Sequence, residues 1–318
     1  MITLADIKAA RQQIHGVAVR TPLVRFPQGT ERGELYLKLE SLQPIGSFKL
    51  RGAYTKIASL TQQQRSRGVI TYSSGNHAQG VAYAARAVGA KAVVVMPRTA
   101  PQIKADATRA LGAEVEFVGP ASSERQQRAE QLAEQHGYCV IPPYNDPLII
   151  AGQGTIAVEI LEDLAEVTSV LVPIGGGGLI SGVAAAIKLT RPSVKVIGVE
   201  PATANDAQQS FRAGRKVTLP AEQTSQTIAD GLRTQSVGDL NFEHIRQFVD
   251  DVVTVSDDEI RQAMRRLLLE GRVLAEPSGA VTSAAWLYHR DELPPAALTV
   301  AIISGGNAEP SLLRDLLQ

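Results

Sequence analysis

The segment Val170-Leu171-Val172-Pro173-Ile174-Gly175-Gly176-Gly177-Gly178-Leu179 joins a short apolar run to four consecutive glycines. The apolar run predicts a buried strand, and the residues after the glycines, as far as about Leu189, predict a helix. Glycines at such a junction allow successive backbone N–H groups to converge on an anion, and the helix N-terminus adds partial positive charge. We therefore interpret Gly175 to Gly178 as a phosphate-binding loop in an α/β protein.

Two other interpretations of this loop stay open from the residues alone. The glycines could serve only to pack a strand closely against a helix. They could also belong to a dinucleotide-binding fold, whose fingerprint is Gly-x-Gly-x-x-Gly with an acidic residue about 20 positions later. Gly175, Gly177 and Gly182 only approximate that spacing, and Glu200 lies close to the expected acidic position. A nicotinamide-dependent oxidoreductase is therefore the alternative from a different class.

Strand-like and helix-like segments alternate through most of the remaining chain. Apolar runs near 69–72, 92–96, 114–118 and 138–141 are separated by helix-like stretches, and a second series starts near 148 and ends in the apolar run 298–303. This alternation predicts right-handed parallel βαβ units, hence parallel sheets flanked by helices. We expect two domains, a large one from 1–49 plus 146–318 and a small mobile one from 50–145. Residues 202–250 are polar, and we expect loops around a site or a metal-bearing turn there.

The composition limits the classes of partner. The chain has 318 residues, is 44% hydrophobic and 20% charged, and carries no formal net charge. A neutral chain without basic clusters gives no indication of nucleic acid or a membrane surface, so a small substrate is expected. Cys139 is the only cysteine, so no internal disulfide can form, and neither a signal-like segment nor an apolar run of membrane-spanning length occurs. We expect a cytoplasmic protein.

A lysine in the segment Gly46-Ser47-Phe48-Lys49-Leu50-Arg51-Gly52-Ala53-Tyr54 is the candidate nucleophile. It follows a predicted strand and stands where a helix should begin. An ordinary solvated lysine is one interpretation. The alternative is a lysine held in place, with the apolar Phe48 and Leu50 lowering the pKa of Lys49 and so raising its nucleophilicity.

Two further turns contain small polar residues at the ends of predicted strands. Free backbone donors in the segment Tyr72 to Gly80 would suit a carboxylate, although Ser74 and Asn76 could equally be helix N-caps. The segment Ser304-Gly305-Gly306-Asn307 follows the last predicted strand. Ligands of open α/β sheets bind at the carboxyl ends of the strands, so these turns and the glycine loop point to one rim.

Six motifs in order resemble the threonine dehydratase and serine racemase group of fold type II pyridoxal-phosphate enzymes, which have a tryptophan synthase β-like fold. The resemblance covers essentially the whole chain. The motifs are Ser47-Phe48-Lys49 with Arg51-Gly52-Ala53, Ser74-Gly75-Asn76-His77, Gly175 to Gly178, Ala229-Asp230-Gly231, Glu276-Pro277-Ser278-Gly279 and Ser304-Gly305-Gly306-Asn307.

The resemblance implies a Schiff base between pyridoxal phosphate and Lys49, with Asn76 on the ring hydroxyl and Ser304 at the ring nitrogen. Serine need not keep that nitrogen protonated, so the ring is a milder electron sink and elimination is favoured. The implied cofactor-binding residues are Phe48, Lys49, Asn76, Gly175, Gly176, Gly177, Gly178, Leu179, Glu276 and Ser304. The implied substrate-binding residues are Ser73, Ser74, Gly75, Asn76 and His77.

The implied activity is dehydration of L-serine-type or L-threonine-type β-hydroxy amino acids to 2-keto acids and ammonia. Lys49 would take the α-proton on one face. Ser74 stands where threonine dehydratases typically carry alanine and serine racemases carry serine, so its hydroxyl could serve the opposite face. A serine racemase and a 3-hydroxyaspartate dehydratase are therefore the near alternatives, whereas Ser74 could also simply cap a helix or bind the substrate carboxylate.

The resemblance also implies a divalent-cation site in the segment Glu200 to Asp206. Its ligands would be the carboxylates of Glu200 and Asp206 and the carbonyl of Ala204, and oxygen ligands suit Mg²⁺, Ca²⁺ or Mn²⁺. An ordinary polar turn after a strand is the alternative. A homodimer is also expected by resemblance.

Overall fold

Two β-sheets with helices on their faces organise the chain. The computed structural model of the protein describes residues 1–27, 33–73, 75–98, 100, 102–119 and 122–318, without the side chains at 103, 122 and 123. The strands are β1 Leu23–Arg25, β2 Glu34–Leu39, β3 Val69–Tyr72, β4 Ala92–Pro97, β5 Glu114–Val118, β6 Cys139–Val140, β7 Ser169–Pro173, β8 Lys195–Pro201, β9 Asp251–Val255 and β10 Leu298–Ile303. The α-helices are α1 Leu4–Ile14, α2 Lys49–Ala58, α3 Gln62–Arg67, α4 Asn76–Ala87, α5 Gln102–Ala110, α6 Ser122–His136, α7 Pro147–Asp163, α8 Gly178–Thr190, α9 Asp206–Ala213, α10 Ala221–Thr224, α11 Asp239–Phe248, α12 Asp257–Leu269, α13 Pro277–Tyr288 and α14 Pro310–Leu316.

The strand order confirms the predicted α/β fold. One sheet has six strands in the order β1-β2-β10-β7-β8-β9, and the other has four in the order β5-β4-β3-β6. Among the strand pairs of the described residues, that of β1 with β2 is antiparallel and the others are parallel. Strands β4 and β7 are buried along their whole length, as expected where helices cover both faces of a parallel sheet. The division into domains at residues 49 and 145 stays a prediction.

Residues 202–250 correct the sequence-based expectation of loops. They contain α9, α10 and α11. Three aromatic and aliphatic residues of α11, Phe242, Ile245 and Phe248, are buried in the core of the larger sheet. Their spacing of three residues puts them on one face of a helix. The exposed Glu243, Arg246 and Gln247 form the opposite face of α11, whereas the polar Asn241 and His244 are buried with the apolar residues. The average composition of the segment was therefore misleading.

The order of the strands brings three of the predicted motifs together. Strand β10 lies between β2 and β7 and runs parallel to both. The carboxyl ends of these strands therefore meet at one edge of the sheet. Ser304 follows β10 directly, the glycine loop follows β7, and Lys49 begins the helix after β2. In the part of the chain that the structure describes, no helix is both long and apolar enough to cross a membrane.

Candidate active site

Lys49 begins α2 and faces a backbone carbonyl. Its Nζ donates a hydrogen bond of 2.9 Å to the carbonyl oxygen of Pro143 and lies 5.2 Å from the centre of the Phe48 ring. The side chain is half-buried. Burial disfavours the charged form and lowers the pKa of Lys49 to about 8. The uncharged form of this amine is therefore far more populated near neutral pH than in an ordinary lysine, although it is still the minor form, and a nucleophilic lysine requires this form.

His77 lies on α4, which packs directly on the turn that carries Lys49. A Cβ at Gly80, one turn further along α4, would lie 3.3 Å from the carbonyl of Lys49. The His77 ring is buried, and its Nε2 lies 3.0 Å from the carbonyl oxygen of Ile141. Burial, assisted by the charge of Lys49, lowers the pKa of His77 to about 3. The imidazole is therefore neutral at physiological pH.

Asn76 joins two of the motifs that were separate in the sequence. Its Nδ2 donates to Oε1 of Glu276 at 2.6 Å, and its Oδ1 accepts from Nδ2 of Asn307 at 2.7 Å. Glu276 is buried, which raises the pKa of its carboxyl group to about 7. The three side chains form a hydrogen-bonded chain across the site, and it fixes the orientation of the Asn76 amide.

Ser304 is bound to the Lys49 turn through the backbone. Its carbonyl oxygen accepts from the N–H of Phe48 at 3.0 Å, and Ser47 forms an isolated bridge with Gly305. The Ser304 side chain is buried, and within the described part of the chain its one hydrogen bond is long, 3.4 Å from Oγ to the carbonyl oxygen of Ser278. Its hydroxyl thus remains available for a stronger hydrogen-bond partner.

The glycine loop has the form of an anion-binding cup. Gly177 has φ +92° and ψ −2°, a left-handed conformation, and it caps α8 without any side-chain hydrogen bond. A Cβ at Gly176 would lie only 2.2 Å from Cδ1 of Tyr144, and one at Gly177 would lie 2.8 Å from Cβ of Asn241. The side chains of Tyr144 and Asn241 thus pack against the loop, and any residue larger than glycine at 176 or 177 would clash with them. The backbone N–H groups at the N-terminus of α8 stay available for an anion. Leu179 is buried in the first turn of α8.

The turn after β3 is partly described. Ser73 accepts a hydrogen bond of 3.3 Å from the N–H of Gly75, which caps α4 without a side-chain bond. A Cβ at Gly75 would meet no atom within 4 Å, so the start of α4 faces open space. Ser74 lies outside the described residues.

The predicted cation ligands are close together and buried. Glu200 accepts hydrogen bonds from the N–H groups of Ala207 and Gln208, at 3.0 and 2.7 Å. The two carboxylate oxygens of Asp206 are buried and have no hydrogen-bond partner among the described residues. Burial raises the pKa of both carboxyl groups, that of Asp206 to about 7.

The backbone N–H groups of Val237 and of Asp206 itself lie near this carboxylate and oppose the rise of its pKa, but neither forms a hydrogen bond of full geometry. A buried carboxylate so weakly bonded needs a proton or a cation to compensate its charge. The residues therefore fit a divalent cation, with Ala204 also fully buried beside them. No group of three or more His, Cys, Asp and Glu side chains suited to a metal occurs in the described ranges. The candidate site thus consists of two carboxylates and backbone oxygen.

Four residues that carried no predicted role also shape the site: Pro143, Tyr144, Asn241 and Asn307. Asn241 is fully buried on α11 and donates to Oγ of Ser181 at 3.2 Å. Asn307 belongs to the quoted Ser304 motif, so its presence there was a usable signal. The other three have no motif, and only the folded chain brings them to Lys49 and the glycine loop.

These features define a class of enzyme. A lysine of lowered pKa stands on the same rim as a glycine cup for a phosphate, which is the arrangement that a covalently bound, phosphorylated cofactor requires. The family described as pyridoxal-phosphate dependent enzyme matches residues 14–305.

Individual relatives agree with this match. An L-threonine ammonia-lyase of Thermotoga maritima is 46% identical over 98% of this chain and 77% of its own. An L-threo-3-hydroxyaspartate ammonia-lyase of Saccharomyces cerevisiae is 40% identical over 96% of this chain and 94% of its own. The structure of maize serine racemase superposes with a TM-score of 0.94 at 37% identity, covering 99% of this chain and 96% of that one.

The chain belongs to the pyridoxal-phosphate dependent enzyme family, with the fold type II architecture that the sequence predicted. The alternative of a nicotinamide-dependent oxidoreductase is therefore set aside. The cofactor is pyridoxal phosphate, and the glycine cup and Lys49 fit its phosphate and its carbonyl group.

Proposed function

We propose that the protein is a pyridoxal-phosphate-dependent dehydratase, an ammonia-lyase that converts L-serine, L-threonine or a similar β-hydroxy amino acid into a 2-keto acid and ammonia. The observation that carries the proposal is Lys49, an amine with a pKa lowered to about 8, on the rim that also holds the glycine cup. The two ammonia-lyases described above match nearly the whole chain and support this reaction class.

Each part of the site has a proposed role toward the cofactor. Gly175 to Gly178 bind the phosphate through backbone N–H groups, Asn76 binds the ring hydroxyl and Ser304 binds the ring nitrogen. Phe48, Leu179 and Glu276 complete the binding site, Glu276 through its hydrogen bond with Asn76. When bound, pyridoxal phosphate supplies an electron sink for the bonds of the substrate α-carbon.

The protein's own groups bind the substrate and move its proton. The substrate carboxylate binds at the first turn of α4, where Ser73, Asn76 and His77 present backbone donors and the helix N-terminus is uncapped by a side chain. The N–H of Gly75 joins them by giving up its long hydrogen bond to Oγ of Ser73. Lys49, as the free amine, takes the α-proton while the β-hydroxyl leaves. His77 contributes its backbone N–H rather than its ring, because the ring is neutral, buried and bonded to Ile141.

Racemisation is the second candidate activity, supported by the identity of Ser74 and by the similarity to maize serine racemase. A hydroxyl on the face opposite Lys49 would return the α-proton there. Changing Ser74 to Ala should abolish racemisation and largely spare dehydration. Equal loss of both activities would contradict this role and favour one in substrate binding.

We also propose a Mg²⁺, Ca²⁺ or Mn²⁺ site at Glu200, Ala204 and Asp206. The support is the buried carboxylate of Asp206, whose oxygens lack partners among the described residues. A chelator should lower the melting temperature or the activity, and added Mg²⁺ should restore it. Asp206→Asn should remove the response to both treatments. A wild-type protein indifferent to chelation would contradict the site.

A visible absorption spectrum tests the central proposal. The purified protein should be yellow, and the band should disappear on borohydride reduction and be absent from Lys49→Ala. Incubation with L-serine, D-serine, L-threonine and the hydroxyaspartate isomers, followed by measurement of keto acid and chirality, then separates the candidate activities. A colourless protein that binds nicotinamide would overturn the proposal.

The 50–145 mobile domain, the homodimer and the cytoplasmic location stay predictions. Sedimentation of the purified protein tests the dimer. Scattering curves measured with and without a bound substrate analogue test whether the two parts move relative to each other.

A further inference from the structure

The guanidinium of Arg51 is fully buried two residues after Lys49. An α-helix turns by about 100° per residue, so the two side chains leave α2 about 200° apart. Lys49 points toward Pro143 and the cofactor site, and Arg51 therefore points to the rear, into the protein interior.

All three nitrogens of Arg51 have acceptors. Nε and Nη2 donate to the two oxygens of Glu40, both at 2.8 Å, and Nη1 and Nη2 donate to the two oxygens of Glu159, at 2.7 and 2.9 Å. Two weaker bonds run to Oγ1 of Thr155 at 3.1 Å and to the carbonyl oxygen of Val19 at 3.2 Å. A guanidinium held by two bidentate forks has neither translational nor rotational freedom.

The charges of this cluster balance. Lys38, also fully buried, donates to Oε2 of Glu159 at 2.7 Å and to the carbonyl oxygen of Thr21 at 2.6 Å. Two buried cations, Lys38 and Arg51, thus face two buried carboxylates, Glu40 and Glu159. The partly exposed Asp163 lies 4.0 Å from Lys38 and is itself paired with Arg20. Burial opposes the charged form of Glu40, but the charge and hydrogen bonds of Arg51 outweigh it and keep the pKa of Glu40 below its usual value.

The start of α2 is held by α4 and the Ser304 turn on the side of the active site, and by this cluster at the rear. Its N-cap, Phe48, makes no side-chain capping bond, and on the site side the turn is held through the bond from Phe48 N–H to Ser304. At the rear, Glu40 follows β2 directly and Glu159 lies on α7. Helix α7 crosses α2 so closely that a Cβ at Gly152 would lie 2.7 Å from Cα of Gly52. Arg51 thus joins the first turn of α2 to both neighbours.

We propose that Arg51 is a positioning residue. Its paired hydrogen bonds to Glu40 and Glu159 fix the rotation of the first turn of α2 about the helix axis, and this rotation sets the direction of the Lys49 side chain. The inference rests on the proposed function, in which Lys49 is the attachment point of the cofactor. Stability alone does not require an arginine here, because a balanced buried cluster can be replaced by apolar residues at little cost. Control of the helix rotation does require the planar guanidinium of Arg51, which donates paired hydrogen bonds to two carboxylates at once.

The test compares Arg51→Lys with Lys38→Met. The first keeps the buried charge and removes the fork geometry on α2. The second removes the other buried cation of the same cluster, on β2, and leaves both forks of Arg51 in place. For each cofactor-free protein, the melting temperature and the dissociation constant of pyridoxamine phosphate, which lacks the aldehyde, are measured first. The third quantity is the rate at which added pyridoxal phosphate attaches to Lys49. Borohydride traps the attached cofactor, and peptide mass spectrometry identifies the modified residue.

Arg51→Lys should attach the cofactor slower by on the order of 100-fold, the loss that a slightly misplaced reacting group causes. Its affinity for pyridoxamine phosphate should be unchanged, because the glycine cup is not on α2. Lys38→Met should melt at a lower temperature than wild type and attach the cofactor at the wild-type rate.

An attachment rate of Arg51→Lys equal to that of wild type would overturn the inference. Slowing of both variants in proportion to their loss of melting temperature would overturn it as well. If Arg51→Lys does not fold, Glu40→Gln, which weakens one fork and preserves its shape, must show the same slow attachment at unchanged pyridoxamine phosphate affinity. Attachment of the wild-type protein at a residue other than Lys49 would instead refute the proposed function, so the two failures are distinguishable.

Discussion

Replacing Gly177 by alanine should damage the glycine cup in a way that can be separated from general instability. Gly177 has φ +92°, where an L-residue costs about 1–2 kcal/mol. The new Cβ would also lie 2.8 Å from Cβ of Asn241, and overpacking of this kind costs about 1–3 kcal/mol. We therefore expect Gly177→Ala to lower the free energy of unfolding of the cofactor-free protein by roughly 2–5 kcal/mol.

The cup should also lose cofactor affinity, because relief of the overlap moves the loop and its N–H groups. Loss of one hydrogen bond to a charged group costs about 1.5–3 kcal/mol. That energy corresponds to about a 10- to 150-fold higher dissociation constant for pyridoxal phosphate. Titration of the cofactor-free protein with pyridoxamine phosphate measures the loss without any contribution from Lys49.

Gly214→Ala is the matched control. Gly214 has φ +67° and ψ 11° at the end of α9, and a Cβ there would meet no atom within 4 Å. This variant should show only the strain of about 1–2 kcal/mol and bind the cofactor normally. If Gly177→Ala lost no more stability than Gly214→Ala and bound pyridoxamine phosphate like wild type, the interpretation of the loop as the phosphate site would be refuted.

Three further predictions follow from charged groups of the site. The rate of covalent attachment of pyridoxal phosphate should rise with pH and level off above about pH 8, because only the neutral amine of Lys49 reacts. A rate that does not depend on pH would contradict the lowered pKa of Lys49. Burial raises the folded-state pKa of Glu276 from 4.5 to about 7. As the pH rises between these two values, the cofactor-free protein should therefore lose roughly 3 kcal/mol of its free energy of unfolding relative to Glu276→Gln. Parallel pH profiles of stability for the two proteins would rule this out. Lys104 on α5 forms an ion pair with Asp230, and the charges of both act on the buried Glu276 of the site. Lys104→Ala leaves the negative charge of Asp230 uncompensated near the substrate carboxylate, so KM should rise, whereas the melting temperature should change little because a partly exposed pair contributes about 1 kcal/mol or less. An unchanged KM would show that the contact does not support substrate binding.

The sequence was sufficient for those parts of the fold that depend on local pattern. The apolar run before Gly175 became β7, and the stretch after the glycines, predicted to be helical as far as about Leu189, became α8, Gly178–Thr190. In each case the signal lies within a few residues and the burial follows from it. The pairing of β10 with both β2 and β7 follows no such local signal, because it depends on which strands meet in space.

The contacts within the site were harder to predict for the same reason. The bond from Asn76 to Glu276 spans 200 residues, and that from Lys49 to Pro143 spans 94. Nothing near Tyr144 in the sequence indicates that its ring lies against the glycine loop. A row of glycines does indicate that something packs closely there, but not what. The Phe242, Ile245 and Phe248 spacing of α11 was a readable signal that the polar composition hid.

The bond from Phe48 N–H to the Ser304 carbonyl has a consequence for biosynthesis. Lys49 is made early, but the backbone partner of its turn is supplied by residues 304 and 305, about 255 positions later. A chain still growing on the ribosome has therefore synthesised its reactive lysine long before that lysine can be held in place. Cofactor capture should be a late event of folding, so that only a chain that already contains residues 304 and 305 becomes covalently loaded.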